Sequence, residues 1–188
     1  MMGEQSQTSR LIDQLLKQRV EHGLHDEVIM HDLAKLNLPV LDAEIFHALR
    51  GAENDSSSIQ KIVKLSDQLS AELKQADLVL IGAPMYNLNV PTQLKNWFDL
   101  VVRARHTFRY TESYPQGLVE GVKAIVVSSR GGVHVEQATD AVTPYLTSVL
   151  GLIGIQDVKF IYAEGLDIPT LKDNALKDAY AQAQRVAV

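Results

Sequence analysis

The sequence predicts one doubly wound α/β domain, a parallel sheet held between two layers of helices. Three observations carry this. The runs Asp77-Leu78-Val79-Leu80-Ile81-Gly82, Lys123-Ala124-Ile125-Val126-Val127-Ser128 and Asp157-Val158-Lys159-Phe160-Ile161-Tyr162 are short and nearly continuously apolar. Such runs suit parallel strands buried on both faces. They alternate with longer amphipathic stretches, the pattern of βαβ units with right-handed crossovers. The 188-residue length fits one domain with a sizeable core.

The elements follow in order. Leu11, Ile12, Leu15, Leu16 and Val20 recur at helical spacing, and Gly23 suits a stop. Glu27-Val28-Ile29-Met30 reads as a short strand. Residues 32–58 read as irregular, with Pro39 and Asn54-Asp55-Ser56-Ser57-Ser58 marking loop. Ile59 to Ala76 is a helix with Ile62, Leu65, Leu69 and Leu73 on one face. The first long apolar run follows, then a helix from Pro91 to Arg103 whose stripe is Leu94, Trp97, Phe98 and Val101. Residues 106–119 form an aromatic-rich loop. Helices over Asp140–Leu150 and Leu171–Val186 complete the pattern.

Composition excludes several classes. No apolar run approaches 18 residues, so no transmembrane helix is expected. The start, Met1-Met2-Gly3-Glu4-Gln5-Ser6, lacks the apolar core of a signal peptide. The chain has no cysteine, which removes disulfides, thiolate catalysis and Cys-ligated metals. A cytoplasmic setting agrees with that. The net charge of −5 and the lack of a basic block disfavour nucleic acid as a partner.

In such sheets ligands sit at the carboxyl ends of the strands. Three segments there are unusual. Ser6-Gln7-Thr8-Ser9 opens the first helix. Hydroxyls and free N–H groups at a helix start suit a phosphate, and equally suit simple capping. Ala83-Pro84-Met85-Tyr86-Asn87-Leu88-Asn89 follows a buried strand. Met85, Tyr86 and Leu88 offer apolar contact to a flat ring and Asn87 an amide for its polar edge, or the segment is a plain Asn-rich turn. Ser128-Ser129-Arg130-Gly131-Gly132-Val133-His134 follows the next strand. Its glycines allow close backbone approach, and Arg130 can balance negative charge, or the segment is a flexible turn with a solvated Arg. His134 suits a surface or capping role as well as a proton donor. The fold order puts all three segments on one rim.

At this point the residues resemble a known family, the bacterial FMN-dependent NADH:azoreductases and quinone reductases. The resemblance covers nearly the whole chain. It rests on Ala83-Pro84-Met85-Tyr86-Asn87, Gln93-Leu94-Lys95-Asn96-Trp97-Phe98-Asp99, Thr107-Phe108-Arg109-Tyr110-Thr111-Glu112, Ser129-Arg130-Gly131-Gly132 and Pro144-Tyr145-Leu146, in family order and spacing. It implies a homodimer of flavodoxin-like fold. It implies that Ser6, Gln7 and Thr8 hold the FMN phosphate, with Thr8 where a second Ser is typical. Met85, Tyr86, Asn87 and Leu88 would line the isoalloxazine, Leu88 standing where an aromatic is common. Ser129, Arg130, Gly131 and Gly132 would contact its polar edge. Asn87, Phe108, Tyr110 and His134 would shape the substrate pocket. The implied reaction is ping-pong: NADH or NADPH reduces FMN, which then reduces a quinone or azo compound by two electrons. The cofactor carries the chemistry, so no catalytic side chain is required. Trp97, Phe98 and Val101 offer an apolar helix face for the dimer.

One family feature is missing. The family opens with an apolar strand, central in a sheet of order 2-1-3-4-5, and nothing before Ser6 reads as a strand. The expected fold is therefore flavodoxin-like, three-layer α/β/α, lacking the N-terminal first strand. A shortened chain is expected, its natural form about 10–15 residues longer, the length of a strand and its turn. With the chain as written, the expectation is weak FMN binding or another segment filling the gap. Two other readings stand beside the enzyme: a non-enzymatic electron carrier, and a flavin-free, truncated relative serving as a dimeric binding module.

Overall fold

The computed structural model describes residues 6–187. The expectation about the chain before Ser6 falls on residues 1–5 and lies outside the described residues.

Three parallel strands form the sheet in the order β1-β4-β5: β1 (Leu78–Gly82), β4 (Lys123–Ser129) and β5 (Val158–Ala163). The central β4 is buried from Ala124 to Ser128. Its side chains alternate between faces, as the strand period requires. Ala124 and Val126 join a cluster with α3 (Ser57–Gln75), α4 (Thr92–Val101) and α5 (Val142–Ile153). Ile125 and Val127 join the opposite cluster, with Leu11 and Leu15 of α1 (Gln7–Glu21) and Ala179 and Ala183 of α6 (Lys172–Val186). The result is the expected three-layer α/β/α sandwich. Ser6 starts α1 by accepting the Ser9 N–H at 3.2 Å, and Gly23, at φ +79°, follows its end.

Four expectations are corrected. Glu27 to Met30 is not a strand. Among the described residues nothing pairs with the outer edge of β1, and this segment runs without a ladder partner. It is pinned at both ends by ion pairs, Arg19 with Asp26 and His31 Nε2 with Glu72 Oε2 at 2.6 Å. Between them Val28, Ile29 and Met30 stay 52%, 62% and 67% exposed. An apolar run supplies β propensity, but a strand exists only where backbone groups find partners. For the same reason β1 is not buried on both faces: Leu78, Val79 and Leu80 are only half-buried.

The third correction is α2 (Ala43–Leu49), inside the stretch read as irregular. Asp42 caps it, Oδ1 accepting the Ile45 N–H at 2.8 Å, and Ile45, Ala48 and Leu49 are buried. The signal was present in Asp42 as a cap and Glu44 in the first turn. The fourth concerns Trp97, Phe98 and Val101. They are buried in the chain's own core, with Trp97 and Phe98 packed edge-to-face at 5.0 Å. They do not form a free face.

The aromatic loop is anchored rather than loose. Arg103, 6% exposed, donates to Leu49 O at 3.1 Å and Ser66 Oγ at 2.9 Å, and pairs with Asp67. Thr107 Oγ donates to Val101 O at 2.6 Å. Beyond this anchor β2 (Phe108–Arg109) pairs antiparallel with β3 (Gln116–Gly117).

Candidate functional site

Direct bonds join the three unusual segments. Thr8, 3% exposed, lies on the first turn of α1 with Oγ1 2.7 Å from Ser129 Oγ at the end of β4. The Ser129 carbonyl accepts the Met85 N–H at 2.9 Å, continuing the β1–β4 ladder into the second loop. Ser129 therefore touches both other segments. Gly82 makes room for the junction: a Cβ there would meet Thr8 Cγ2 at 3.1 Å and Ile12 Cδ1 at 3.2 Å.

The rim carries unused donors. Ser6 Oγ accepts from Ser9, and Ser6 O accepts the Arg10 N–H at 3.1 Å. Among the described residues the N–H groups of Gln7 and Thr8 have no acceptor. They are orphans of a helix start, where the helix dipole favours an anion. Ser6 thus caps the helix through its hydroxyl oxygen, which leaves its O–H and the two N–H groups to donate to an anion.

The second segment is a two-residue tight turn. Tyr86 N–H bonds Asn89 O at 2.9 Å, and Asn89 N–H bonds Tyr86 O at 3.0 Å. Asn87 and Leu88 occupy the centre at φ +49° and +64°, the left-handed pair such a turn requires. Asn tolerates this conformation, whereas for Leu it is strained. The turn holds Tyr86, Asn87 and Leu88 out, all three exposed, while Met85 is half-buried.

The third segment divides between backbone and side chain. Among the described residues the N–H groups of Gly131 and Gly132 have no acceptor. Their carbonyls accept from Asp167 at 3.0 Å and Gly165 at 2.8 Å, which locks the loop to the exit of β5. A Cβ on Gly131 would meet Asp167 Oδ2 at 2.2 Å, so any larger residue there must displace the Asp167 side chain.

The Arg130 guanidinium is not on the open rim. Its side chain is 0% exposed and held by Asp140 Oδ2 at 3.1 Å and Glu164 Oε1 at 3.2 Å. Nε donates to Ser128 Oγ at 3.2 Å and Nη2 to Thr143 Oγ1 at 3.0 Å, with the Tyr162 ring 4.8 Å beneath. Burial works to raise the Asp140 carboxyl. Hydrogen bonds from the Thr143 N–H and hydroxyl, with Arg130, outweigh it and hold the group below its ordinary value. Burial pushes the Tyr162 phenol up. Arg130 thus reaches the rim only through its backbone.

The remaining predicted residues lie apart. His134 Nδ1 is 2.9 Å from Thr139 Oγ1, and its N–H donates to Glu164 Oε1 at 2.8 Å. Phe108 is 7% exposed and meets the 66% exposed Tyr110 edge-to-face at 5.3 Å. No hydrogen bond or ring contact among the described residues ties Phe108 or Tyr110 to the three segments. Two open clefts, of about 390 and 670 Å³, flank Val135 and Tyr162. Neither is lined by a candidate site residue named from the sequence. Glu164 is the rim residue that sequence reasoning missed. Its place just after an apolar strand was the available signal.

Comparison with known proteins agrees with this fold. The model of the flavodoxin-like fold family matches residues 2–187. FMN-dependent NADH:quinone oxidoreductase 4 of Burkholderia lata is 66% identical over 181 residues, covering 96% of this chain and 91% of that protein. FMN-dependent NADH:quinone oxidoreductase of Escherichia coli O157:H7 is 51% identical over 178 residues, 94% of this chain and 89% of that protein. Among solved structures, an azoreductase from Bacillus anthracis superposes with a TM-score of 0.87 at 28% identity, covering 98% of this chain and 92% of that one. The azoreductase AzrA gives 0.88 at 27% identity, with the same coverage. The chain belongs to the flavodoxin-like fold family, within its FMN-dependent NADH:quinone oxidoreductases.

Proposed function

We propose that this chain is an FMN-dependent oxidoreductase that passes electrons from NADH, or NADPH, to quinones and azo compounds. The observation that carries the reading is Ser129, which joins the phosphate-type helix start through Thr8 and the apolar loop through Met85. The residues present fit the cofactor. The Gln7 and Thr8 N–H groups and the Ser6 hydroxyl would hold the phosphate. Met85, Tyr86 and Leu88 would cover the ring, and Asn87 with the Gly131 and Gly132 N–H groups would bond its polar edge. Bound there, FMN supplies two-electron transfer between the nicotinamide and the acceptor.

The protein's task is then to bind, orient and exclude water. The orphan donors at α1 would stabilise the phosphate through their N–H dipoles. The glycine N–H groups favour negative charge gathering at the ring's polar edge, as fixed dipoles do. Asn87 orients whatever stacks above the ring. His134, with Nδ1 2.9 Å from Thr139 Oγ1, is a candidate proton source.

The substrate pocket is completed, in this reading, by a second copy. Tyr86, Leu88, Tyr110 and Tyr114 are exposed large side chains, and Phe46 is 42% exposed. Such residues support an apolar surface that a homodimer covers. The setting is cytoplasmic; no described helix is long and apolar enough to cross a membrane. The flavin-free module is not favoured, because the relatives are named oxidoreductases. Steady-state NADH oxidation by purified protein with FMN and a simple benzoquinone tests the proposal. Turnover that requires both FMN and the quinone supports it, and none above the protein-free rate rejects it.

A further inference from the structure

We propose that Glu164 is a positioning residue for this site, acting through the loop 131–135; its effect on FMN rests on the function proposed above. Glu164 Oε1 accepts the His134 N–H at 2.8 Å, the Val135 N–H at 2.9 Å and the Arg130 Nη1 at 3.2 Å. Consecutive N–H groups converging on a carboxylate form a nest, a strong fixed-geometry contact. The carboxylate is only 15% exposed, and the guanidinium it meets is 0% exposed.

The division of labour within the loop is sharp. Upstream, the Gly131 and Gly132 N–H groups have no acceptor among the described residues, while their carbonyls are engaged. Downstream, the next two N–H groups after Val133 are both spent on Glu164. Glu164 thereby fixes the far end of the loop to β5, and the free glycine donors are aimed before a ligand arrives. Preorganised donors act on charge without reorganisation. Asp140 shares Arg130 but makes no bond to the loop's N–H groups; its other partners are the Thr143 N–H and hydroxyl. The two carboxylates on one arginine therefore have separable roles. Asp140 neutralises Arg130 and accepts from Thr143 in the first turn of α5, whereas Glu164 also holds the loop.

Amide hydrogen exchange resolved by NMR tests this without requiring activity. In the protein without added FMN, His134 and Val135 should exchange about 100-fold more slowly than Gly131 and Gly132. Glu164→Ala should speed His134 and Val135 by about 10- to 100-fold and weaken FMN binding about 10-fold. Glu164→Gln, which keeps an acceptor oxygen, should recover part of both, and Asp140→Asn should leave the two amides within about threefold of wild type. Equal exchange at all four wild-type amides overturns the proposal, even if Glu164→Ala fails to fold. So does an Asp140→Asn effect as large as that of Glu164→Ala. Slow His134 and Val135 in a protein that binds no FMN would uphold the clamp while rejecting the flavin function.

Discussion

Thr8 Oγ1 and Ser129 Oγ lie 2.7 Å apart across 121 residues of sequence, and this bond fixes α1 against the end of β4. Both hydroxyls sit where the cofactor phosphate and ring are proposed to meet the protein. Removing either leaves the other without its partner in a largely buried place. Thr8→Val keeps the shape and should cost about 1–2 kcal/mol of stability. A double-mutant cycle with Ser129→Ala, read by urea unfolding, should return a coupling of about 1 kcal/mol. Additive effects would mean that the bond contributes nothing.

Arg130 is expected to be a stability residue. Truncation to Ala leaves Asp140 and Glu164 facing each other without their cation, and breaking a buried pair costs about 3–5 kcal/mol. Arg130→Lys should recover less than half, because one ammonium cannot serve Ser128, Thr143 and two carboxylates together. Urea midpoints of the three proteins decide this. A change under about 1 kcal/mol in Arg130→Ala would place the guanidinium in solvent instead.

Leu88 holds a left-handed conformation in a two-residue turn. That conformation costs a side chain about 1–2 kcal/mol. Leu88→Gly should therefore raise the melting temperature or leave it unchanged, whereas β-branched Leu88→Val should lower it. The loss of apolar cover in Leu88→Gly should appear as weaker FMN binding. Opposite signs for stability and affinity mark a strained residue kept for its site.

His106 gives the chain a pH dependence below neutrality. Partial desolvation, with the Arg103 charge beside this otherwise exposed ring, holds the imidazole below the ordinary histidine value of 6.5. A histidine lowered on folding stabilises the protein above its unfolded value. That contribution fades as pH falls from about 6.5 towards the folded value, because the unfolded chain takes the proton first. Stability measured between pH 7 and 5 should fall, and His106→Asn should flatten part of the fall. An unchanged slope in the variant would assign the dependence elsewhere.

Val28, Ile29 and Met30 test the fold correction. As strand residues they would each lose about 1.5–3 kcal/mol on becoming polar. Exposed as they are here, substitution by Thr or Gln should change stability by less than about 0.5 kcal/mol. Urea unfolding of the single variants separates the two.

The sequence disclosed the layers and the three segments of the candidate site, for a physical reason. A strand such as Lys123–Ser129 is written in its own side chains, and the loop following it inherits its place on the rim. Glu27–Met30 failed because pairing is not a local property: the same residues become a strand only beside an available edge. Ala43–Leu49 escaped because a short helix offers few periodic positions, and Pro39 nearby suggested loop. Arg130 misled differently. Its position after β4 is on the rim, but two carboxylates far away in sequence, Asp140 and Glu164, draw its side chain inward. Only the backbone of that segment was legible as site.

Titration of the purified chain with FMN, followed by quenching of flavin fluorescence, tests the central claim most directly. Saturation is expected at one FMN per chain, with at least a tenfold loss of affinity in Thr8→Asp, which would put a negative charge against Ser129 beside the phosphate's place. Absence of saturable binding, or equal affinity in Thr8→Asp, would contradict it.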